Sequence, residues 1–261
     1  MPKKSKSLVF LPPLTLLSLV IVSIIVFWLF SPKKINNNSA TKQQEQQDQQ
    51  ATKQYQESDL ISLPAPSKTG RISLEQTLNS RRSRRSFFDR AISLKQLSQI
   101  LWAAQGVTAD WGGRTAPSAK DAYPLSLYII AIKVDGLQPG VYQYLPGETT
   151  PVHKLGLIQT GNFAEKTAEA GKQSQFKQPA AALIITGNMQ KMTDAFDGKA
   201  NDNNVYLEAG HAAQNIYLQV ESLGLGTVTT GGFDRAKTAE LLQNPSSETF
   251  IYMMPLGYPE E

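Results

Sequence analysis

From Leu8 to Phe30 the chain runs for 23 residues without a charge, and nothing else in it constrains the fold as strongly. A stretch this long and apolar has no place on the surface of a water-soluble domain. The 18 residues from Pro13 to Phe30 reach about 27 Å as a helix, close to a hydrocarbon core of roughly 30 Å. Pro12-Pro13 suits a helix start, where backbone N–H donors are not needed, and Trp28 and Phe30 lie where aromatic rings favour the interface. A cleavable signal peptide would carry a shorter apolar region, about 7–15 residues, and a small-x-small site. Here Ser31-Pro32-Lys33-Lys34 follows instead. The expectation is an uncleaved single-pass membrane anchor over residues 1–34. Lys3, Lys4 and Lys6 with the amino terminus flank one side; Lys33, Lys34 and Lys42 flank the other. The tighter first cluster favours a cytoplasmic N-terminus and a main domain outside the cytoplasm, by a margin of one charge.

Residues 35–60 hold 8 Gln between Gln43 and Gln56. Such a stretch cannot bury enough apolar surface to offset its ordering entropy, so a disordered Gln-rich linker is expected there. Residues 61–261 are left as one domain of ordinary size. Charge divides at the same place. The first sixty residues carry 7 Lys against 4 acids, leaving 19 of the 26 cations and 18 of the 22 acids in the remainder. A pI near 9.1 is therefore no footprint for a polyanion, and nucleic acid is not an expected partner. Five of those cations, Arg81, Arg82, Arg84, Arg85 and Arg90, fall within ten residues. With no Cys and only 2 His, disulfides, thiolate ligation, a cysteine nucleophile and a His-rich metal site are excluded or left without residues, so no metal is expected.

Within the domain, Ser93-Leu94-Lys95-Gln96 fits a capping box, Leu94, Leu97, Ile100, Leu101 and Ala104 follow at helical spacing, and Gly106 reads as the stop. Leu127–Val134 and Val141–Tyr144, separated by Gln138-Pro139-Gly140, read as a hairpin, and Ala181–Thr186 as a buried strand. Val205–Leu223 is the longest helix, with Val205, Ala209, Ala212, Ala213, Ile216, Val220 and Leu223 in one stripe. A helix over Ala236–Leu242 and a strand over Thr249–Met254 follow. Helices and strands mix without regular alternation, which favours an α+β layered domain over a doubly wound sheet.

Three segments could carry chemistry. Ser80-Arg81-Arg82-Ser83-Arg84-Arg85-Ser86-Phe87-Phe88 offers guanidiniums with a hydroxyl between them, which suits a phosphate; a solvated basic loop is the plainer reading. Gly224-Leu225-Gly226-Thr227-Val228-Thr229-Thr230-Gly231-Gly232 resembles a dinucleotide loop, but a long helix precedes it where that motif needs a strand. Gly224 and Gly226 then end the helix, while Gly231 and Gly232 let backbone N–H groups approach a planar ligand. Arg114-Thr115-Ala116-Pro117-Ser118-Ala119-Lys120-Asp121-Ala122-Tyr123-Pro124-Leu125 is by itself a connector.

In this order, these segments resemble the FMN-dependent nitroreductase family, and within it the branch of SagB-type dehydrogenases. The matching pieces are RRSRRSF, ISLKQLSQILWAAQGVT, GGRTAPSA…YPLSLYI, PGVYQY, LEAGHAAQNIYLQVESLGLGTV and the terminal PLGYP, covering nearly all of residues 70–261. The resemblance implies a nitroreductase-like α+β fold, a mixed, mainly antiparallel sheet flanked by helices, and a homodimer with FMN at the subunit interface. It places Arg81 and Ser83, with Arg82 alongside, at the flavin phosphate. Arg85 comes near the pyrimidine edge of the ring, where a cation stabilises the charge of reduced flavin. Pro117 and Ser118 are implied to contact flavin across the subunit interface, and backbone around Gly231 and Gly232 to face flavin N5. The implied catalytic set is Arg85, Gly231 and Gly232.

A flavin enzyme needs no protein nucleophile, metal or thiol, which accords with the chain's sparse inventory. His211 is then expected to be satisfied in the core or an interface, and His153, after a proline, to be an exposed loop residue. Electrons would come from NADH or NADPH and pass to a nitroaromatic, a quinone or another small molecule. The alternatives are a SagB-like dehydrogenase of a peptide or metabolite, or a non-catalytic flavin-fold scaffold. Three departures bear on these. Azoline-oxidising members carry Lys-Tyr-Gly-x-Arg where this chain has Ala195-Phe196-Asp197-Gly198-Lys199. Gly257-Tyr258-Pro259 stands where Gly-Arg-Pro supplies a phosphate contact, and Lys120-Asp121 replaces the small residues after the Pro-Ser-Ala turn.

Overall fold

The computed structural model describes residues 55–199, 202–243 and 248–260. Its elements run β1 (Leu60–Ser62), α1 (Leu74–Ser80), β2 (Ile92–Ser93), α2 (Leu94–Gln105), β3 (Leu125–Ala131), β4 (Val134–Asp135), β5 (Gly140–Gly147), β6 (Pro151–Thr160), α3 (Ala164–Gly171), β7 (Ala181–Gly187), α4 (Met189–Ala195), α5 (Asn203–Ser222), β8 (Gly226–Thr227), α6 (Arg235–Leu241) and β9 (Thr249–Gly257). Residues 55–60, the end of the expected linker, are structured: the Tyr55 hydroxyl donates to Gln143 at 2.8 Å, and β1 pairs with β6. The expected anchor and the rest of the linker lie outside the described residues. Among the described residues no helix is long and apolar enough to cross a membrane.

Seven strands form one sheet in the order β1-β6-β5-β3-β7-β9-β8, every pair of it antiparallel. The parallel pairing expected of a mixed sheet is confined to a separate two-residue pair, β2 with β4. β3 and β7 lie mid-sheet and are apolar on both faces, because both faces are covered. Leu125, Leu127 and Ile129 of β3 and Leu183 and Ile185 of β7 join a core with Leu97, Ile100 and Leu101 of α2 and Val205, Ala209, Ala212 and Ile216 of α5. Tyr128, Ile130, Ala182 and Ile184 face the other way, against Phe163, Phe176, Ala170 of α3 and Leu241 of α6. The result is an α+β fold with helices on both sides of an antiparallel sheet.

The caps read from sequence are present. Ser93 Oγ accepts from Gln96 N at 3.2 Å while Gln96 Oε1 accepts from Ser93 N at 2.9 Å, the reciprocal capping box that starts α2. At the end of α5, Gly224 has φ +68°, and Leu225 N donates to Val220 O at 2.8 Å and Gly224 N to Glu221 O at 3.1 Å. That Schellman closure needs the left-handed conformation glycine tolerates. Gly106 ends α2 differently. Its φ is −64°, so no left-handed turn is involved; a Cβ there would collide with Trp102.

His153 was expected in an exposed loop, and the structure corrects this. It lies in β6, half-buried, with Nδ1 2.8 Å from the Tyr144 hydroxyl and Nε2 2.7 Å from Ser98 Oγ. Ser98, 1% exposed, donates its one hydroxyl proton to Pro64 O at 2.5 Å. Nε2 therefore carries the imidazole proton towards Ser98, and Nδ1 accepts from Tyr144. Burial lowers the His153 pKa below its usual 6.5, against an opposing contribution from the Pro64 carbonyl. A histidine held neutral in this way stabilises the fold fully above about pH 6.5, and that stabilisation is lost as pH falls through the lower folded-state value. His211 is exposed on α5, outside the core of the protomer, which leaves the interface as the remaining half of that expectation.

Two consequences are measurable by urea unfolding. Stability should decline between about pH 7 and about pH 5, the range in which an unfolded histidine gains its proton. His153→Gln should cost about 1–3 kcal/mol at neutral pH and flatten that decline; an unchanged pH slope in the variant would contradict the assignment.

Candidate functional site

The arginine segment leaves the C-terminus of α1 and lies along the β8 edge of the sheet. Arg84 N donates to Thr227 O at 3.0 Å, and a Cβ on Gly226 would run into the Arg84 side chain, so glycine there is a matter of close approach rather than of helix termination. Further on, Phe88 N donates to Tyr258 O at 2.9 Å, Glu260 N to Ser86 O at 3.1 Å, and Phe87 bridges to Pro259. The C-terminal tail thus zips the segment to the end of β9. Arg81 is half-buried with its guanidinium 5.1 Å from the centre of the Tyr217 ring. Arg82 folds back and donates from Nη1 to Asn79 O and Arg81 O, both at 2.9 Å, capping α1. Arg85 is exposed. Arg90 sits 3.9 Å over the ring of Tyr258, whose hydroxyl meets the Gln96 amide at 3.1 Å. Among the described residues none of these five arginines forms an ion pair with a carboxylate. Their charge is therefore not taken up by a carboxylate within the described residues and is available to a bound anion.

Tyr217 of α5, 8% exposed, joins this segment to the glycine-rich one. Its hydroxyl accepts from Thr229 N at 2.8 Å and lies 3.3 Å from Ser83 Oγ and 3.4 Å from Thr229 Oγ1. One phenol therefore holds Ser83 and the chain leading into Gly231-Gly232 in fixed relation, with Arg81 over its ring. Thr230 is locked to β9 by two backbone bonds with Met253, at 3.0 and 2.9 Å. Gly231 and Gly232 are exposed, and nothing lies within 4 Å of where a Cβ on Gly231 would stand. Neither needs positive φ. What they supply is room.

Pro117 is exposed and Ser118 half-buried. The Ser118 hydroxyl spends its one proton inside the protein: it donates to Glu208 Oε1 at 3.0 Å and accepts from Tyr123 N at 2.7 Å. Glu208 Oε1 also accepts from Ala119 N at 2.9 Å. Glu208 is only 5% exposed; burial raises its pKa, and the hydrogen bonds from Ala119 and Ser118 oppose the rise. The loop needs such an anchor. Lys120, Asp121 and Tyr123 have φ of +52°, +53° and +43°, a left-handed conformation that costs non-glycine residues about 1–3 kcal/mol each. Tyr123 is held besides by Arg114, whose backbone N donates to its hydroxyl at 3.2 Å and whose guanidinium lies 4.5 Å from its ring centre. Lys120 Nζ is drawn to 4.8 Å from the centre of the Phe196 ring, into the segment that departs from the azoline-oxidising pattern.

Ser83 and the chain before Gly231-Gly232 thus meet at Tyr217, with Arg81 beside them. Within one protomer no hydrogen bond links Pro117 or Ser118 to them among the described residues. Sequence reasoning missed Tyr217 and Glu208. Tyr217 directly follows Ile216 of the α5 stripe and reads as core. Glu208, directly before Ala209, is an acid on the edge of an apolar face, the one available signal that it has a buried partner. No group of residues able to hold a metal is present among the described residues.

The nitroreductase family model matches residues 78–258. The chain belongs to the nitroreductase family. A Methanocaldococcus jannaschii protein assigned as a nitroreductase is 37% identical over 187 residues, which is 71% of this chain and 91% of that one. A crystal structure assigned likewise, from Ralstonia eutropha JMP134, shares 30% identity over 78% of this chain and 90% of its own, with a TM-score of 0.65. One from Desulfovibrio desulfuricans, solved in complex with FMN, matches at 19% identity over 73% of this chain and 88% of its own, with a TM-score of 0.50, and supports the fold. As a nitroreductase-family oxidoreductase, the protein has its arginine and glycine segments on the two ends of one hydrogen-bonded relay.

Glu208 offers a direct test of the loop. Glu208→Ala strands the Ala119 N–H and the Ser118 hydroxyl, and should lower unfolding free energy by about 1–3 kcal/mol. Glu208→Gln, whose amide oxygen accepts the same two bonds, should lose clearly less. Equal losses in urea titrations would show that the loop is not anchored there.

Proposed function

We propose that the protein is a homodimeric, FMN-dependent oxidoreductase that takes electrons from NADH or NADPH and passes them to a small acceptor such as a nitroaromatic or a quinone. The observation that carries this reading is the unpaired arginine segment tied through Tyr217 to the open Gly231-Gly232 backbone. The residues present fit FMN: an anion-seeking end, a segment with room for a planar ring, and no carboxylate in an ion pair with any of the five arginines among the described residues. Bound FMN would supply hydride exchange, chemistry that no side chain of this chain offers.

The roles of the protein groups follow from their chemistry. Arg81 and Ser83 bind the phosphate, by charge-assisted and hydroxyl hydrogen bonds, with Arg82 contributing field rather than contact because its Nη1 already caps α1. Arg85, exposed and in no ion pair among the described residues, would supply positive charge that favours the anionic form of a reduced flavin. Gly231 and Gly232, with open space about Gly231, would leave room for the ring of a bound flavin. Ser118, with its hydroxyl committed to Glu208, shapes its loop, so contact across the dimer falls to Pro117 and the loop backbone. Exposed Ile72, Leu74 and Leu78 near α1 and Tyr206 and Leu207 on α5 suit burial against a second copy, and His211 lies on that same helix. A SagB-like dehydrogenation of peptide azolines is disfavoured by Phe196, which has no phenol to transfer a proton.

Residues 1–34 would tether the enzyme, residues 35–54 would give it reach, and a domain outside the cytoplasm would draw on a membrane quinone or a partner protein in place of soluble nicotinamide. A reporter fused to the C-terminus and found active only in the cytoplasm would remove that topology.

The purified protein should be a yellow dimer whose colour is bleached by NADPH and restored by an acceptor. A colourless protein that cannot be reconstituted with FMN would favour a non-catalytic scaffold. Arg81→Ala should weaken FMN binding by about tenfold to a hundredfold, the range of one charge-assisted hydrogen bond. Arg85→Ala should retain FMN and slow its reduction. Unchanged behaviour in both variants would refute the site.

A further inference from the structure

The turn that follows α3 is stapled to the glycine segment at both ends. Asp234 N donates to Ala170 O at 2.7 Å, and the Lys172 ammonium pairs with Asp234 at 3.1 Å. On the other side Gln175, 4% exposed, donates from Nε2 to Thr230 Oγ1 at 3.2 Å and to Gln173 Oε1 at 2.8 Å. Gly231 and Gly232 arch between these staples. Gln173 is itself exposed, and its Nε2 lies 3.6 Å from where a Cβ on Gly232 would stand.

The consequence is chemical. A primary amide has one acceptor end and one donor end. The buried Gln175 takes the acceptor end of Gln173, which turns the NH₂ the other way, and among the described residues that NH₂ donates to nothing. Its two N–H bonds stand at the rim of the arch, beside backbone that leaves open space. Most exposed glutamines sweep many rotamers; this one has lost part of that freedom already, so a ligand that accepts its hydrogen bond does not meet the full ordering cost. Of the cations on these segments, Lys172 is paired with Asp234 and Lys237 with Glu169 at 2.7 Å, and the Arg235 guanidinium lies 5.6 Å from the centre of the Phe233 ring. A neutral donor at an open rim suits a carbonyl or nitro oxygen, which needs no opposing charge to be held.

We infer that Gln173 is a substrate-binding residue which receives an oxygen of the oxidising substrate, a carbonyl or nitro oxygen, at the edge of the Gly231-Gly232 arch. This rests on the reading that the arch faces the reacting edge of the flavin. It narrows the acceptors to flat molecules carrying such an oxygen, quinones and nitroaromatics among them, and gives the protein a means of orienting them.

The test uses the full-length protein loaded with FMN. For Gln173→Leu, the KM for 1,4-benzoquinone and for nitrobenzene should rise about five- to tenfold, the value of one neutral hydrogen bond, with smaller change in kcat. Ferricyanide, which accepts electrons without such a contact, should be reduced at the wild-type rate, as should the flavin by NADPH. Benzamide, a carbonyl ligand that takes no electrons, should perturb the visible spectrum of the bound flavin with a Kd weakened by a similar factor. Gln173→Glu, which keeps the shape but presents acceptors, should do no better than Gln173→Leu. A yellow, NADPH-reducible variant with unchanged KM values and unchanged benzamide binding overturns this inference alone. So does a loss shared equally with ferricyanide. A wild-type protein unable to hold FMN overturns the inference and the reading beneath it.

Discussion

The phenol of Tyr217 is the contact on which the site depends. It comes from the longest helix, accepts a backbone N–H of the glycine segment, meets the hydroxyl of the arginine segment and lies beneath the guanidinium of Arg81. Two segments more than 130 positions apart along the chain are held together by one oxygen atom. Remove it, and the half-buried amide of Thr229 loses its partner along with the hydroxyl of Ser83, so the two segments lose the side chain that bridges them.

Everything behind that phenol serves to keep it still. α5 reaches the sheet with Ala209, Ala212 and Ala213 between Val205 and Ile216, small side chains that let the helix lie close to β7 and β3. The Schellman closure at Gly224 then turns the chain within a few residues into β8, beside which Arg84 runs. The C-terminal tail completes the clamp by pairing with Ser86 and Phe88. The same tail shows how a departure from family pattern is accommodated: Tyr258 brings no charge of its own, but Arg90 stacks on its ring.

Much of this was legible in the chain. Continuous apolar runs named β3 and β7, a capping box named α2, and a stripe at helical spacing named α5, because those features act over a few residues. β6 was not legible, since Pro151, Lys154 and Gly156 interrupt its alternation, and with it went the role of His153, which is fixed by Ser98, Pro64 and Tyr144 from distant parts of the chain. The candidate site divides in the same way. Arg81, Ser83, Gly231 and Gly232 stand out as residue types in a pattern. Tyr217, Glu208 and Gln175 matter only through partners that folding brings to them, and a tyrosine or a glutamine in an ordinary apolar context carries no mark of that. Where glycine was read as a breaker, at Gly106 and Gly226, the operative constraint was the neighbour's bulk, a three-dimensional fact.

The central claim is that the arginine segment and the glycine arch form one ligand site rather than two independent surfaces. Hydrogen–deuterium exchange of the purified protein, with and without FMN, tests this most directly. The account predicts that FMN slows exchange together in residues 81–85 and in residues 229–232, with the same dependence on FMN concentration. Protection of only one of the two segments, or of neither, would contradict it.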